Sequence, residues 1–282
     1  ICISIHQGQT RGVWCLISEA GEGKSQGVKA LLTEFGYRIV DIRTAQLTHV
    51  GAGVPQRAVD GHFDYAVPSD FPKPGEKAAM VFDEVNQGQQ FAIAMMFKLF
   101  EDRSLYSYKL PDDCPIILMM NPSTAAYNVT KLETNPAINR RIKKVWVYST
   151  FGDWKKHAQT PAFHESDGKS LPCHPWIVRF LNTTPNMLYT AKDRDGHKQF
   201  CCPATWQTVS LDLYSLEAEE ARLKAAGEKY NDVTLTSETG SQRAINRLGA
   251  TINTVNATAL IEYVKHNEVR VSPDEVLLKY KP

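Results

Sequence analysis

The chain has 282 residues, of which 43% are hydrophobic and 22% are charged, and its formal net charge is +1. Such a chain can bury one large core or a core and a smaller one, and its near-neutral charge gives no strong attraction to nucleic acid or membranes. No apolar run of ~18 residues is present, so we expect no transmembrane helix. No secretory signal is recognisable, and Cys15 and Cys114 lie in apolar runs typical of buried free thiols, which favours a reducing, cytoplasmic location.

Residues 1–150 alternate between predicted strands and predicted helices, which indicates an α/β fold with a parallel sheet flanked by helices. The predicted strands are largely continuous apolar runs, typical of strands covered on both faces: Gly12–Ser18, Tyr37–Ile42, Ala78–Asp83, Pro115–Met120 and Lys143–Tyr148. The predicted helices between them are Lys24–Phe35, Gly88–Asp102 and Pro136–Arg141. His49–Gly75 is rich in Gly, Pro and aromatic residues and is predicted to be a long irregular insertion.

Residues 151–282 have a different pattern, in which short helical stretches alternate with polar segments, so we expect a second, small all-helical unit and a C-terminal segment. The predicted helices are Gly152–Ala158, Pro175–Leu181, Pro203–Ala226, Ala257–Val264 and Pro273–Leu278. Ala162–Pro172 is interpreted as a polar linker, and Glu228–Ser241 is interpreted as a polar loop.

The segment from Ser18 to Ser25 reads Ser-Glu-Ala-Gly-Glu-Gly-Lys-Ser and lies between a predicted strand and a predicted helix, the context of a phosphate-binding P-loop. Its glycines allow the backbone N–H groups to face inward, and the helix adds its positive dipole end. We therefore expect nucleotide phosphates to be bound by Glu19, Ala20, Gly21, Glu22, Gly23, Lys24 and Ser25. Lys24 would reach the β- and γ-phosphates and Ser25 would ligate Mg²⁺, although Ser18 stands where the pattern has glycine.

Two further apolar strands end in polar residues. Asp83 and Glu84 follow the strand that starts at Ala78; beside a P-loop, Asp83 would hold Mg²⁺ through water and Glu84 would act as general base. Asn121 follows the next strand and could place the attacking water near the γ-phosphate, or it could simply begin a turn before Pro122.

Arg140 and Arg141 directly precede a basic predicted strand. In a ring ATPase, an arginine at this point reaches the γ-phosphate bound by the neighbouring subunit and stabilises transition-state charge. Arg140 is the first choice for this arginine finger and Arg141 the second, while surface charge is the alternative interpretation of both.

Together these residues resemble the AAA+ ATPases, and in more detail the MoxR family, over nearly the whole chain from about residue 13. The segments that resemble that family's motifs are Phe82–Asn86, Asp102–Asp112, Ala137–Arg140, His174–Leu181, Pro185–Leu188 and Pro203–Trp206. Two departures stand out. Arg141 replaces an aromatic residue of the finger segment, and Ala204 stands where the motif has an arginine, for which Arg179 or Arg243 could substitute.

The resemblance implies an AAA+ P-loop NTPase core followed by a small helical lid, with ATP and Mg²⁺ as the bound nucleotide and metal. It also implies a homo-oligomeric, hexameric ring that remodels a protein partner in a chaperone-like way, often a von Willebrand factor A-type protein. The subgroup that the chain resembles includes phage proteins. If the chain is encoded by a phage, the expected location is the cytoplasm of the infected host.

Two other functions stay open from the sequence. The basic clusters Arg140–Lys144 and Lys155–His157 would suit an ATPase motor or loader that acts on nucleic acid, although the neutral net charge does not favour it. Ser18 and Ala204 would suit a nucleotide-gated scaffold with little hydrolysis. A zinc site made by Cys173–His174 and Cys201–Cys202 is disfavoured, because the spacing matches no standard finger.

Overall fold

The computed structural model describes residues 12–47, 54–57, 62–123, 129, 132, 136–166, 169–190 and 200–268. The chain divides into two compact units, with the boundary between Tyr148 and Ser149.

The first unit contains nine strands and three α-helices among its described residues. The strands are β1 (Val13–Ile17), β2 (Arg38–Arg43), β3 (Val54–Arg57), β4 (Phe63–Ala66), β5 (Ala78–Asp83), β6 (Ser104–Leu105), β7 (Tyr108–Lys109), β8 (Ile116–Met120) and β9 (Ile142–Trp146). The helices are α1 (Lys24–Glu34), α2 (Gln90–Asp102) and α3 (Pro136–Asn139), and short 3₁₀ turns cover Thr44–Gln46 and Val85–Gln87.

Five of these strands form one parallel sheet in the order β2-β5-β8-β1-β9. Strand β1 therefore lies between β8 and β9, which come last among the five strands in the sequence. The loop that follows β1 lies at the carboxyl edge of the sheet. This topology, a parallel sheet with helices packed against it, confirms the predicted α/β fold class.

Successive side chains of a central strand point to opposite faces of the sheet, and on both faces they are covered by helices. All residues from Ala78 to Phe82 have 0% exposure. Met80 and Phe82 pack in one cluster with residues of α2, while Val81 packs in another with residues of α1. Each large side chain removed from water in this way contributes about 1.5–3 kcal/mol, so the sheet provides a rigid base for the loops at its edge.

The predicted irregular insertion at His49–Gly75 is partly wrong, because β3 and β4 form an antiparallel hairpin within it. Tyr65 of this hairpin stacks on Tyr106, with ring centroids 3.9 Å apart and planes inclined by 12°. Tyr106 belongs to the two-residue turn between β6 and β7, where it has φ 55°. The aromatic residues of the insertion thus hold two hairpins together.

Among its described residues, the second unit contains five α-helices: α4 (Phe151–Ala158), α5 (Pro175–Thr183), α6 (Pro203–Ala225), α7 (Glu238–Ile252) and α8 (Thr254–Glu268). Its helical character was predicted and is confirmed, but it also contains a ribbon. The antiparallel strands β10 (His164–Ser166) and β11 (Lys169–Leu171) occupy the segment interpreted as a polar linker. The helix predicted over Pro273–Leu278 lies outside the described residues.

The polar loop predicted over Glu228–Ser241 is confirmed up to Ser237, after which helix α7 begins, a helix that the sequence did not predict. The Ser237 hydroxyl accepts a hydrogen bond from the N–H of Gly240 at 3.0 Å and so caps the helix start. Its buried face consists of Gly240, Ser241, Ala244, Ile245, Leu248 and Ile252. Because half of these residues are small, the apolar periodicity is weak in the sequence.

No helix among the described residues is long and apolar enough to cross a membrane.

Candidate nucleotide-binding site

The loop between β1 and α1 has the backbone geometry of a phosphate-binding turn. Gly21 and Gly23 have φ 82° and 80°, a left-handed conformation that glycine adopts at little cost. Gly23 is the N-cap of α1, and it has no side chain to satisfy the N–H groups of the first turn. The positive end of α1 is therefore directed at the loop without an internal cap, as anion-binding helix termini require.

Ser18, where the motif has glycine, fits this loop. It is 2% exposed and is not among the residues with positive φ, so its backbone conformation does not require glycine. Its main-chain oxygen, rather than its side chain, takes part in the site.

Lys24 joins the loop to the end of strand β8. Its Nζ donates to the main-chain oxygens of Ser18 at 2.6 Å and Glu19 at 3.0 Å. It also donates to Asn121 Oδ1 at 3.0 Å. The structure thus brings together two predicted site residues that are far apart in sequence, and it places an ammonium group at the mouth of the loop.

Ser25 and Asp83 form the second contact of the site. The Ser25 hydroxyl donates to Asp83 Oδ2 at 2.7 Å, and Asp83 Oδ1 accepts the N–H of Glu84 at 2.8 Å. Hydroxyl and carboxylate oxygens are hard ligands suited to Mg²⁺. Among the described residues, no group of three or more His, Cys, Asp or Glu could enclose a metal. A Mg²⁺ ion here would therefore take its remaining ligands from phosphate oxygens and water, as is usual for this ion.

Glu84 begins the turn after β5 with φ 54° and ψ 39°. This left-handed conformation is unfavourable for a residue with a Cβ, and such strain clusters at functional sites. The turn directs the chain away from the strand immediately after Asp83, so the two acidic residues belong to different local conformations.

The two arginines differ in their surroundings. Arg141 Nη2 lies 2.5 Å from Glu101 Oε1, and the Arg141 side chain is only 17% exposed. Arg140 is exposed, and within the described part of the chain it makes no hydrogen bond or ion pair. Helix α3 ends at Asn139 rather than at Arg141 as predicted, so both arginines lie in the turn before β9.

Strand register places Arg140 at the far end of the sheet from the P-loop. Ile142 pairs with Val13 at the start of β1, whereas Trp146 pairs with Ile17, just before the loop. Four residue steps at about 3.3 Å each separate the two levels, so Arg140 is more than about 13 Å from its own loop. An action of Arg140 on a nucleotide therefore requires the site of another subunit.

Asn86 has a contact in the site that the sequence did not predict. It is fully buried, and its Nδ2 donates to the main-chain oxygen of Asn121 at 2.7 Å. The only signal in the sequence was its place in the Phe82–Asn86 motif, which carried no role for it.

The two arginines considered as substitutes at Ala204 have partners within the second unit. Arg243 forms an ion pair with Glu219 at 3.1 Å, and the guanidinium of Arg179 lies 5.2 Å from the centre of the Trp176 ring.

The cysteines considered for zinc are buried free thiols. Burial raises the pKa of Cys173 and of Cys201 to about 12, and among the described residues these cysteines belong to no group of three or more His, Cys, Asp or Glu that could hold a metal.

No family model and no curated protein matches this chain. Among solved structures, a point mutant of RuvB from T. maritima aligns with TM-score 0.43 and 10% identity, covering 99% of this chain and 91% of that one. A putative ATPase from Cytophaga hutchinsonii aligns with TM-score 0.42 and 12% identity, covering 99% and 86%. Similarity at this level assigns no activity to the chain, so the strand order and the loop geometry are the basis for the class of fold.

Proposed function

We propose that this chain binds ATP with Mg²⁺ and hydrolyses it. The observation that supports the proposal most is the pair of contacts Lys24–Asn121 and Ser25–Asp83, which gather the ends of three neighbouring elements around the P-loop. The four side chains in these contacts supply a cation, a hydroxyl, a carboxylate and an amide, which are the kinds of group that phosphoryl transfer requires.

Each side chain has a role that its position supports. Lys24 would exchange its main-chain oxygen partners for β- and γ-phosphate oxygens, since an ammonium binds either. Ser25 and Asp83 would hold Mg²⁺, which neutralises phosphate charge when bound. Asn121 would keep its amide beside the γ-phosphate, and Glu84 would accept the proton of the attacking water.

The test is ATP turnover by the wild type and by Glu84→Gln, an isosteric change that removes the base. We expect turnover to fall by at least about 100-fold while ATP binding persists. Glu34→Gln, an exposed change at the end of α1, is the matched control and should have no effect. Equal turnover in wild type and Glu84→Gln would refute the role of Glu84. Binding without any turnover in the wild type would favour the scaffold function.

We further propose that the active form is a homo-oligomeric ring, in which Arg140 of one subunit completes the site of the next. The support is that Arg140 is exposed, makes no ion pair among the described residues, and lies at the opposite end of the sheet from its own loop. Arg141 is the poorer candidate, because its ion pair with Glu101 holds it within its own subunit.

Mixing two inactive variants tests this arrangement. Arg140→Ala keeps an intact site and Glu84→Gln keeps an intact finger, so a mixed ring contains some complete interfaces. We expect the mixture to regain activity that neither variant has alone, while Arg222→Ala, an exposed arginine of α6, behaves as wild type. A mixture no more active than its components would refute the shared site.

A chaperone-like MoxR role, with a protein partner such as a von Willebrand factor A-type protein, is the cellular function we propose, on the motif resemblance. Nucleic acid is a weaker candidate, since two lysines of the basic clusters have other contacts. Lys155 donates to Asn182 Oδ1 at 2.8 Å, and Lys143 Nζ lies 5.0 Å from the centre of the Trp14 ring. Salt-dependent binding of a labelled oligonucleotide, with stimulation of turnover, would reverse this preference.

A further inference from the structure

We propose that Asn86 is a positioning residue for ATP hydrolysis, which holds the loop that carries Asn121 and the turn that carries Glu84 in a fixed relation. This inference rests on the proposed ATPase function and assigns a role to a residue that would not itself touch the nucleotide.

The hydrogen bond of Asn86 connects two strand ends. Asn86 lies in the 3₁₀ turn Val85–Gln87, which follows Glu84 and is closed by the hydrogen bond from Gln87 N–H to Glu84 O at 2.9 Å. From this turn, Asn86 Nδ2 reaches across to the main-chain oxygen of Asn121 at 2.7 Å. Since β5 and β8 are neighbours, this bond ties the turn after one strand to the loop after the next.

The burial of Asn86 indicates that this bond has a purpose beyond stability. Asn86 is 0% exposed, and its Oδ1 has no hydrogen-bond partner within the described residues. A buried amide oxygen without a partner is costly, so an apolar side chain would be the more stable choice at this position. Costs of this kind are typical of functional sites, and the left-handed Glu84 two residues earlier is a second example in the same turn.

The bond also forms the last link of a continuous chain of contacts. Asn121 accepts from Asn86 through its main-chain oxygen and from Lys24 through its side chain. Glu84 is therefore coupled through the turn and through Asn121 to the lysine that would bind the γ-phosphate. Loss of the bond would let the Asn121 amide and the Glu84 carboxylate move independently, and a displacement of about 1 Å costs on the order of 100-fold in rate.

Two variants test the role. Asn86→Leu keeps the branched shape and the number of heavy atoms and removes the donor. Asn86→Asp keeps the shape and can donate to the Asn121 carbonyl only when its carboxyl group is protonated. We expect the Leu variant to lower kcat by about 10–100-fold. We expect its ATP dissociation constant and melting temperature to stay near the wild-type values, because the lost bond does not touch the P-loop.

The pH profile distinguishes positioning from a general structural role. The ratio of the Asp variant's kcat to the Leu variant's kcat should rise as pH falls from 8 to 6, because protonation restores the donor. Lys24, Asp83 and Glu84 are the other charged groups at these strand ends, and they are the same residues in both variants.

Four results would contradict the inference. A Leu variant with wild-type kcat, or a parallel loss of kcat, ATP binding and melting temperature, would overturn the positioning role alone. A pH-independent ratio between the Asp and Leu variants would overturn the claim that the donor matters. A wild type without turnover would overturn the proposed function, and this inference with it.

Discussion

The two units treat their polar side chains in opposite ways. In the first unit, Lys24 and Asp83 gather at one edge of a sheet whose interior is apolar, and both are only partly buried. In the second unit, buried polar groups bind one another: His164 Nε2 lies 2.7 Å from Ser210 Oγ, and the same hydroxyl accepts the N–H of His174 at 2.8 Å.

This difference distinguishes polar groups that can bind a ligand from polar groups that stabilise the fold. Polar groups at the strand ends can exchange their present partners for a ligand, because they lie at the mouth of a loop. His164, His174 and Ser210 of the second unit are buried and are joined by hydrogen bonds to the Ser210 hydroxyl, so they contribute to the fold of that unit. We therefore place the proposed ATP binding and hydrolysis in the first unit, and the following experiments test that proposal.

The largest expected effect is the loss of stability when one large buried side chain is replaced by alanine, in one unit at a time. Trp206 is 0% exposed and its Nε1 donates to the Met187 main-chain oxygen at 3.0 Å, so Trp206→Ala should destabilise the second unit by about 3–5 kcal/mol. Hydrogen exchange should then show faster exchange in α6 and α7 with β5 and β8 still protected. Leu99→Ala in α2 should give the reverse pattern, and identical patterns in the two variants would show that the units are not separate cores.

A smaller but specific effect is expected at the P-loop. Lys24→Ala should weaken binding of a fluorescent ATP analogue by about 100-fold, or about 2.7 kcal/mol, because several charge-assisted hydrogen bonds are lost. Lys29→Ala is the matched control: Lys29 lies on the same helix and pairs with Asp41 at 2.7 Å, away from the loop. Equal affinity for the ATP analogue in both variants would contradict the claim that the P-loop binds the nucleotide through Lys24.

The buried polar group of the second unit predicts a pH effect on stability, not on binding. Burial lowers the pKa of His164 below 6.5, so below that pH the unfolded state binds more protons than the folded state. The contribution of His164 is therefore fully present above pH 6.5 and is lost as pH falls further. Unfolding midpoints followed by tryptophan fluorescence between pH 7.5 and 5.5 should show this loss.

His164→Gln removes the imidazole and should flatten the dependence of the unfolding midpoint on pH. His157→Gln, at an exposed residue of α4, should leave this dependence unchanged. His174 and Glu217, 3.0 Å apart at Nε2 and Oε1, are the other titratable pair of this cluster and are unchanged in both variants. An equally steep slope in His164→Gln would assign the pH effect to that pair instead.

The smallest expected effect is that of Arg141→Ala, and it distinguishes this arginine from Arg140. Arg141→Ala removes a partly exposed ion pair and should cost no more than about 1 kcal/mol of stability. Turnover should fall far less than in Arg140→Ala, which loses about 1,000-fold or more if it supplies the finger. A larger loss in Arg141→Ala than in Arg140→Ala would exchange their roles.

The sequence predicted the P-loop and the acidic strand end because their residues are contiguous. The turn, the helix start and Asp83 at the end of an apolar run are local features, visible in the order of residues alone. The strand β5 was predicted with the bounds that the structure has, Ala78–Asp83, because both of its ends are marked by changes in polarity.

What the sequence could not provide depends on contacts between distant segments. The Asn86–Asn121 bond spans 35 residues and requires the register of β5 against β8. The contact that holds Arg141 within its own subunit, and so supports the sequence-based preference for Arg140, involves Glu101, which lies 40 residues before Arg141. The hairpin β3–β4 was missed because its strands are short and lie in a segment rich in Gly and Pro.

The most direct test of the account is the ATPase rate per subunit as a function of protein concentration, for the wild type and Arg140→Ala. We predict a rate that rises with concentration in the wild type, as sites are completed by neighbouring subunits, and a rate that stays low at every concentration in the variant. A rate per subunit that is independent of concentration and unaffected by Arg140→Ala would mean that each subunit works alone, and it would contradict the ring and its shared site.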